Sequence, residues 1–465
     1  MYVGSCSISL HPPLEIAPAG IFKMALSMDK DCHDRNAKKA KHDGAETTTP
    51  KASSSCQNQE NTDDDLTYVE FYAGVGGWTM ALAEAISRVN SSDQGKTQKR
   101  LRRVAAMDHS DLCMKCFRHN FGEEELSAKR QHKAFNIERL TLKQVEEWGA
   151  RIWMMSPPCQ PHTRQHENQS EDLDDPRSAS FLHICRLLTQ MKPHTRPSLL
   201  FLENVIGFES SKSCDRWLDT LVPSGYAFGH FHLTPTQVGL PNDRPRYFCL
   251  AVRSDRLNQQ SPLMKYISVN QVENISLKTT PAPYSDIQDL GVLPEEKITL
   301  ETLTQIHSLL DNEDDEHNNL KIPRKILDSS KAWCFDIVKP GDRRSACFTS
   351  AYGKFVRGTG SVLYNDDDDD NTPTLTLQRP DERQFTKDWA EGLDLSKLRY
   401  FSGSEIARLM GFQSDFSFPA DVTAKQQWKL LGNSLNVQVA AKVVELGLRL
   451  HEWGSLSWTL FQLLS

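Results

Sequence analysis

The stretch "EFYAGVGGW", Glu70–Trp78, follows the short apolar run "TYV" and leads into the helical pattern "WTMALAEAIS". An apolar run, a glycine-rich turn and a helix in this order predict the first unit of a fold in which strands and helices alternate. Glycine at such a turn lets the backbone approach a ligand, and the following helix N-terminus directs N–H groups at it. Gly74, Gly76 and Gly77 are therefore candidate ligand-binding residues; a simple strand–helix turn is the alternative.

Short apolar runs and helical patterns keep alternating to about residue 255. The runs that indicate strands are "RVAAMDHS", "RIWMMS", "SLLFLENV" and "RYFCLAV", and the helical patterns between them are "DLCMKCFRHNF", "SASFLHICRLLTQM" and "DRWLDTLVPSG". This alternation predicts an α/β fold, with a mainly parallel sheet and helices on both faces. Helical signals return near the end, at "SGSEIARLMGF" and at "AKQQWKLLGNSLNVQVAAKVVELGLRLHEW".

The composition of the 465-residue chain changes along its length and indicates where its regions begin and end. Residues 1–65 are polar, rich in Ser and Thr and poor in aromatic residues, which predicts a disordered N-terminal tail. We predict an α/β domain at 66–255, a second region at 256–397 with a disordered acidic insertion near 365–397, and C-terminal helices at 398–455 that return to the first domain.

The formal net charge is -7, but three acidic runs account for its sign. These runs hold three, four and five carboxylates, and without them the net charge becomes +5. The net charge therefore does not exclude a polyanionic partner. No apolar run approaches the ~20 residues of a membrane span, so we expect no membrane partner.

Eleven cysteines occur without a regular framework, which is typical of reduced intracellular thiols. "CMKC", Cys113–Cys116, is a single CxxC without a second pair or a nearby pair of histidines. We interpret it as one face of a helix and expect no metal.

An acidic residue ends the second predicted strand. Asp108, in "AAMD", stands where a carboxylate can bind the two hydroxyls of a ribose. The GxGG turn is not the GxGxxG dinucleotide fingerprint, and no Lys-Ser/Thr pair follows it. An adenosine-type ligand without a pyrophosphate fits better. A helix N-cap is the other interpretation of Asp108, and the two roles can coexist.

A single thiol follows the third predicted strand in "SPPCQPHTR", Ser156–Arg164. Ligands of open α/β sheets bind at the carboxyl ends of strands, and the prolines restrict the backbone and so fix the direction of Cys159. We interpret Cys159 as a nucleophile; a small buried apolar residue is the alternative.

Further polar side chains lie at the ends of two other predicted strands. Glu203 terminates the apolar run of "LLFLENV", where a buried carboxyl group can hold a proton; capping the segment "GFESSKS" is the alternative. Arg244 and Arg246, in "PNDRPRYFCLAV", are two residues apart and therefore face one side of an extended chain. Paired guanidinium groups suit a carbonyl oxygen or a phosphate.

Together these groups suit C5 methylation of a pyrimidine. Cys159 adds to C6 of an unstacked cytosine, Glu203 supports N3 and an arginine holds O2. C5 then attacks the sulfonium methyl group of S-adenosylmethionine, and loss of the C5 proton with elimination of the thiol completes the cycle.

The motifs "EFYAGVGGWTMAL", "SPPCQP", "LENV", "RPR" and "LLGNSLNVQVAAK" resemble those of the cytosine-5 methyltransferases, in that family's order. "CFTSAYGKFVRGTGSVL", Cys347–Leu363, and "LRYFSGSEIARLMGF" narrow the resemblance to the tRNA-aspartate cytosine-5 methyltransferases, the tRNA-methylating branch that resembles DNA methyltransferases. The resemblance covers about 67–255 and 332–450.

The resemblance implies a Rossmann-like, S-adenosylmethionine-dependent methyltransferase sheet at 66–255 and a small target-recognition domain at 256–397. The residues it implies for catalysis are Cys159, Glu203, Arg244 and Arg246. Those implied for binding S-adenosylmethionine are Phe71, Gly74, Gly76, Gly77, Asp108, Pro157, Asn433 and Ser434. Those implied near the substrate are His162, Arg164, Cys347, Phe348 and Thr349.

The implied function is methylation of cytosine 38 in the anticodon loop of tRNA-Asp, by a monomer in the cytoplasm, the nucleus or both. A DNA (cytosine-5)-methyltransferase is the alternative, although the small recognition region favours RNA, whose single-stranded loops release a base more easily. A non-catalytic RNA-binding protein with this fold is the second alternative.

The chain departs from the family's pattern just after Cys159. His162 replaces the usual phenylalanine, either as a surface residue or as a contact to RNA phosphate, and "RQHENQSEDLDD" lacks the glycines of a mobile catalytic loop. For Cys347, packing in the recognition domain is the alternative to a place near the RNA.

Overall fold

The computed structural model describes residues 65–92, 100–122, 134–158, 176–267, 302–311, 320–329, 331–365 and 393–451. Residues 1–64 of the predicted N-terminal tail, most of the predicted acidic insertion and the glycine-poor loop lie outside these ranges, whereas Asp65 begins the first strand. Cys159, His162 and Arg164 lie outside them as well.

A six-stranded sheet forms the centre of the α/β domain. Its strands are β1 (Asp65–Phe71), β2 (Arg100–Met107), β3 (Ile152–Met155), β4 (Leu199–Val205), β5 (Tyr226–Leu233) and β6 (Arg246–Arg253). They lie in the order β2-β1-β3-β4-β6-β5, with β2, β1, β3 and β4 parallel. Strand β6 runs antiparallel to both β4 and β5. The predicted α/β sheet is confirmed, but β5 and the antiparallel edge were missed.

Helices cover both faces of this sheet, as predicted. The helices of the first part are α1 (Gly77–Ser92), α2 (Asp111–Phe121), α3 (Leu142–Trp148), α4 (Ala179–Gln190) and α5 (Lys212–Leu221). The later helices are α6 (Arg324–Leu327), α7 (Gly403–Leu409), α8 (Ala424–Gly432) and α9 (Val437–Leu450). The CxxC cysteines, Cys113 and Cys116, lie on α2, which agrees with a helix face.

Aromatic side chains show which helices share a face. The Trp78 ring of α1 lies 6.0 Å from that of Phe201 and 6.2 Å from that of Phe248, between ring centroids. Helix α9 approaches the same face at Gly447, where a Cβ atom would come within 2.7 Å of Phe201. The buried Trp217 of α5 joins Phe71, Trp153 and α4 in the core on the opposite face.

A smaller sheet and the C-terminal helices complete the described part. Strands β7 (Asp336–Val338), β8 (Ser361–Tyr364) and β9 (Leu398–Arg399) lie in that order, with β7 and β8 parallel and β8 and β9 antiparallel. The long C-terminal helical signal is two helices rather than one, because Asn436 caps the start of α9 with its side chain. Helix α9 packs against α1, so this C-terminal helix lies beside the first sheet.

Among these residues, no helix has both the length and the apolar character that crossing a membrane requires.

Candidate active site

The glycine loop between β1 and α1 rests on a buried carboxyl group. Glu70, 1% exposed, accepts hydrogen bonds from the N–H groups of Trp78 and Thr79 at 3.1 and 3.0 Å, and from the Thr79 hydroxyl. Burial raises the pKa of Glu70 to about 7, against the lowering effect of those hydrogen bonds. Because Glu70 occupies the N–H groups that begin α1, this helix end does not offer a site for phosphate. The sequence signal for Glu70 was a lone acid inside an apolar strand.

Asp108 ties the same loop to the end of β2. Its Oδ2 accepts from the Gly74 N–H at 3.0 Å and its Oδ1 accepts from the Ser110 N–H at 2.8 Å. The N-cap of α2 is Ser110, whose hydroxyl accepts from the Cys113 N–H, so the N-cap interpretation of Asp108 is wrong. Oδ1 also lies 3.4 Å from His109 Nδ1, whereas Oδ2 keeps a further lone pair for a ligand hydroxyl.

The loop glycines have the backbone that the turn requires. Gly74 and Gly76 have φ angles of 53° and 92°, in the left-handed region that favours glycine. A Cβ atom at Gly76 would lie 2.0 Å from the Phe121 ring, and one at Gly77 would lie 3.3 Å from the Ser434 hydroxyl. The loop is therefore in contact with α2 on one side and with the segment after α8 on the other.

Phe71 does not lie where the resemblance placed it. Its side chain is 0% exposed and its ring packs edge-on against Trp153 in the core, at 5.2 Å between centroids. The aromatic residue of the loop is the next one, Tyr72, which is half-buried and has a φ angle of 56°. Tyr72 donates a hydrogen bond from its hydroxyl to Ser180 Oγ at 2.9 Å. A non-glycine residue held in this backbone region is a mark of functional sites, so Tyr72 replaces Phe71 as the ligand-facing candidate.

The turn that leads to Cys159 is anchored at two points. Trp78 Nε1 donates to Ser156 Oγ at 3.0 Å, and Asn204 Nδ2 donates to the Pro157 carbonyl oxygen at 3.3 Å. These bonds join the end of β3 to α1 and to the end of β4. The segment Ser156–Pro158 is thus held to α1 and to the end of β4, and Cys159, the next residue in the sequence, lies outside the described residues.

Glu203 and Arg246 form an ion pair across β4 and β6. Arg246 Nε lies 3.4 Å from Glu203 Oε1, and the side chain of Glu203 is 9% exposed. The antiparallel register pairs Val205 with Arg246, so Glu203 lies two residues from the partner of Arg246 and both side chains are on the same face of the sheet. An acid and a guanidinium group thus meet at the carboxyl end of β4, beside the anchored turn.

Arg244 points at protein atoms. It is 2% exposed and donates to the carbonyl oxygens of Phe348 at 2.7 Å, of Gly432 at 3.0 Å and of Ser434. Burial and the neighbouring Arg246 lower its pKa, whereas Cys347 and Glu203 oppose that effect. The guanidinium group of Arg244 therefore joins the start of β6 to the segment around 348 and to the segment after α8.

Cys347 lies between the two arginines. Its sulfur accepts from Arg244 Nη1 at 3.3 Å and from Arg246 Nη2 at 3.9 Å, so the two guanidinium groups do face one side, as predicted. Burial on its own raises the pKa of the thiol, but Arg244 and Arg246 outweigh it and hold the pKa below its usual value. Cys347 is thus placed beside the Glu203–Arg246 pair.

The two residues after Cys347 serve the protein framework. Phe348 is 1% exposed, with its ring 5.0 Å from Tyr352 and 5.4 Å from Phe401 between centroids, so its side chain cannot contact a substrate. The prediction of substrate contact by the Phe348 side chain is wrong for this reason. Thr349 is half-buried, and its N–H donates to the Thr359 carbonyl at 3.0 Å.

Asn433 and Ser434 differ in their surroundings. Asn433 ends α8 and is exposed. Ser434 is half-buried, lies against the glycine loop at Gly77 and accepts from Arg244. Within the ranges that the structure describes, no group of three or more His, Cys, Asp or Glu side chains could hold a metal ion.

The chain is similar in sequence to known cytosine-5 methyltransferases. The family model for the C-5 cytosine-specific DNA methylase matches residues 66–446. A human tRNA (cytosine(38)-C(5))-methyltransferase is 33% identical over 420 residues, which cover 82% of this chain and 99% of the relative. A Dictyostelium discoideum DNA (cytosine-5)-methyltransferase is also 33% identical, over 82% of this chain and 94% of that protein.

The fold agrees with these matches. The crystal structure of the S. pombe Dnmt2 methyltransferase superposes with a TM-score of 0.61 at 27% identity, over 83% of this chain and 98% of that one. The resemblance drawn from the sequence is confirmed: the chain belongs to the C-5 cytosine-specific DNA methylase family, in the branch that contains the tRNA (cytosine(38)-C(5))-methyltransferases.

Proposed function

We propose that the protein methylates C5 of a cytosine in tRNA, with S-adenosylmethionine as the methyl donor. The observation that carries this proposal is the convergence of Glu203, Arg246 and the anchored Ser156–Pro158 turn at one edge of the sheet. Because that turn leads into Cys159, a nucleophile, an acid and a cation reach the same edge. The similarity to the human tRNA (cytosine(38)-C(5))-methyltransferase supports tRNA as substrate, and we extend the proposal to cytosine 38 of tRNA-Asp.

The chain's own residues supply the steps on the cytosine ring. The Cys159 sulfur donates an electron pair to C6, and the C5–C6 π pair becomes nucleophilic at C5. Glu203 gives a proton to N3 as the ring takes up the electron pair, and Arg246 stabilises the negative charge at O2. After methyl transfer a base, such as a water molecule, takes the C5 proton, N3 returns its proton to Glu203, and the S–C6 bond breaks, which restores the ring and frees the thiolate. Arg244 acts as a positioning residue, because its hydrogen bonds hold Cys347 and the Ser434 segment in place.

The glycine loop fits S-adenosylmethionine better than a nucleotide phosphate. Glu70 occupies the N-terminus of α1, and Asp108 adds a second carboxyl group at the loop, which favours a cationic sulfonium over an anion. Asp108 would hold the ribose, Tyr72 would contact the base, and Gly74, Gly76, Gly77, Pro157 and Ser434 would line the methionine end. When bound, S-adenosylmethionine supplies the electrophilic methyl group.

Incubation with tritium-labelled S-adenosylmethionine and either total tRNA or genomic DNA tests this function. We expect label in tRNA, at a single cytosine that bisulfite sequencing of tRNA-Asp places at position 38. Label in DNA alone would instead favour the DNA-methylating alternative, which the Dictyostelium relative supports. A protein that binds tRNA and labels neither substrate would match the non-catalytic alternative.

A further inference from the structure

A short loop extends from the active site and closes on itself. Residues 349–359, here called the platform loop, begin after Phe348, whose carbonyl oxygen accepts from Arg244 at 2.7 Å. The Thr349 N–H donates to the Thr359 carbonyl at 3.0 Å, which brings the two ends of the loop together. The platform loop is therefore fixed at its base to an arginine of the site.

Buried aromatic side chains give the loop one shape. Tyr352 is 4% exposed, and its ring packs edge-on against Trp428 at 5.2 Å between centroids. Gly353 has a φ angle of 71°, and a Cβ atom there would lie 2.4 Å from the Trp428 ring, so no larger residue fits. The Thr359 hydroxyl also donates to the Phe355 carbonyl at 2.7 Å. These contacts hold the backbone of the loop in one conformation, and a surface held in this way loses little entropy on binding.

The platform loop presents an aromatic ring to solvent. Phe355 is 59% exposed, and it is the one large apolar side chain so exposed in the part of the chain that the structure describes. A single exposed apolar side chain needs no explanation by itself. Here, however, its backbone is held by hydrogen bonds to Ala351 and Thr359, so the exposure is a fixed feature of the loop.

Two basic residues lie close to Phe355 in the sequence, and one of them contacts its ring. Lys354 Nζ lies 5.2 Å from the centroid of Phe355, and Lys354 and Arg357 are both exposed. Neither forms a salt bridge within the described ranges. An exposed aromatic ring close to basic residues is the arrangement by which proteins bind single-stranded nucleic acid, with the ring on a base and the cations on phosphates.

We propose that Phe355 stacks on an unpaired base of the tRNA anticodon loop beside the target cytosine, while Lys354 and Arg357 contact the adjoining phosphates. This inference rests on the proposed function, which supplies the RNA substrate. Phe355 is six residues after Thr349, so the chain between them spans at most about 20 Å, a distance within the reach of neighbouring loop nucleotides. Phe355 thus determines how the anticodon loop is placed and does not take part in the chemistry.

The experiment uses full-length tRNA-Asp with 2-aminopurine placed at one anticodon-loop position at a time. Binding to the wild type should quench the probe at one or two positions next to the target. Phe355→Ala should abolish this quenching and raise the Kd and KM for tRNA about 5- to 150-fold, the range of one base–aromatic stack. The kcat at saturating tRNA should stay within about twofold.

Two further substitutions separate stacking from apolar contact. Phe355→Trp should retain the quenching, whereas Phe355→Leu should behave like Phe355→Ala because it keeps apolar area without a ring. Lys354→Ala should flatten the salt dependence of binding, by about 0.7 in the slope of log K against log salt. The matched control is Lys143→Ala, at a lysine on α3 whose side chain is 84% exposed, and it should leave that slope unchanged.

The outcomes separate this inference from the function on which it rests. Wild-type methylation of tRNA with unchanged quenching in Phe355→Ala, or wild-type affinity in Phe355→Leu, overturns the stacking proposal alone. Failure of the wild type to bind or methylate tRNA overturns both. Because Phe355 is exposed, circular dichroism of each variant should match the wild type.

Discussion

Arg246 Nε lies 3.4 Å from Glu203 Oε1, between two strands that run antiparallel, β6 and β4. Arg244, two residues earlier, is directed instead at carbonyl oxygens of the Phe348 and Ser434 segments. Two arginines that look equivalent in the sequence therefore have separate roles, and substitutions should distinguish them.

Arg246→Lys should lower kcat about 10²- to 10³-fold, the usual cost of losing a donor aimed at developing negative charge. Lysine keeps the charge but loses the planar fork of donors that reaches both Glu203 and a substrate oxygen. The free energy of unfolding should change little, since Arg246 is partly exposed. Single-turnover methylation assays and urea denaturation measure the two quantities; a kcat equal to the wild type would remove Arg246 from the catalytic group.

Arg244→Lys, unlike Arg246→Lys, should lower the stability of the protein. The substitution leaves buried carbonyl oxygens without their donors, so the free energy of unfolding should fall by about 2–4 kcal/mol. Urea denaturation followed by tryptophan fluorescence measures the loss, with Arg246→Lys as the matched control. Equal stability in the two variants would mean that Arg244 does not hold these segments together.

Tyr72→Ala should weaken binding of S-adenosylmethionine about tenfold. It should lower the free energy of unfolding by less than Phe71→Ala does, because Tyr72 is only half-buried, although its ring packs against the core and its hydroxyl donates to Ser180. Phe71→Ala should instead destabilise the protein by about 3–5 kcal/mol, since Phe71 is fully buried. Isothermal titration calorimetry measures the affinity of the two variants for S-adenosylmethionine, and thermal unfolding measures their stability. A cofactor affinity that depends on Phe71 in a folded variant, and not on Tyr72, would contradict this assignment.

Glu70 should make stability depend on pH. Burial raises its pKa from 4.5 to about 7 in the folded protein, so between these values the folded state binds more protons than the unfolded state. The stability of the wild type relative to Glu70→Gln should therefore be greatest below pH 4.5, fall as the pH rises to about 7 and level off above it. Urea denaturation at several pH values tests this, and a stability difference that rises with pH would show that the hydrogen bonds to Glu70 outweigh its burial.

The sequence predicted the parts of the fold that local patterns determine. The glycine loop, the strands up to β4, and the helices between them other than α3 are encoded in apolar periodicity and in glycine placement. The short helix α3, Leu142–Trp148, was not predicted. Strand β5 was missed because Gly229, His230 and His232 interrupt its apolar run. The antiparallel direction of β6 depends on its pairing with β4 and β5, which no pattern within β6 encodes.

The sequence identified most residues of the site, but not the contacts that each of them makes. Phe71 and Tyr72 are adjacent aromatic residues, and only the backbone turn at Tyr72 decides which ring enters the core. The partners of Arg244 lie more than 100 residues away in sequence, so its hydrogen bonds depend on the tertiary structure alone. Phe348 lies within a family motif, and its burial follows from packing against Phe401.

The central claim is that Cys159, delivered by the anchored turn beside Glu203 and Arg246, attacks C6 of a tRNA cytosine. The most direct test incubates the protein with S-adenosylmethionine and tRNA-Asp that contains 5-fluorocytidine, followed by peptide mass spectrometry. Fluorine at C5 blocks loss of the proton, so we expect a covalent RNA adduct at Cys159 in the wild type and none in Cys159→Ala, although that variant should still bind S-adenosylmethionine. An adduct at another residue, or methylation by Cys159→Ala, would contradict the account.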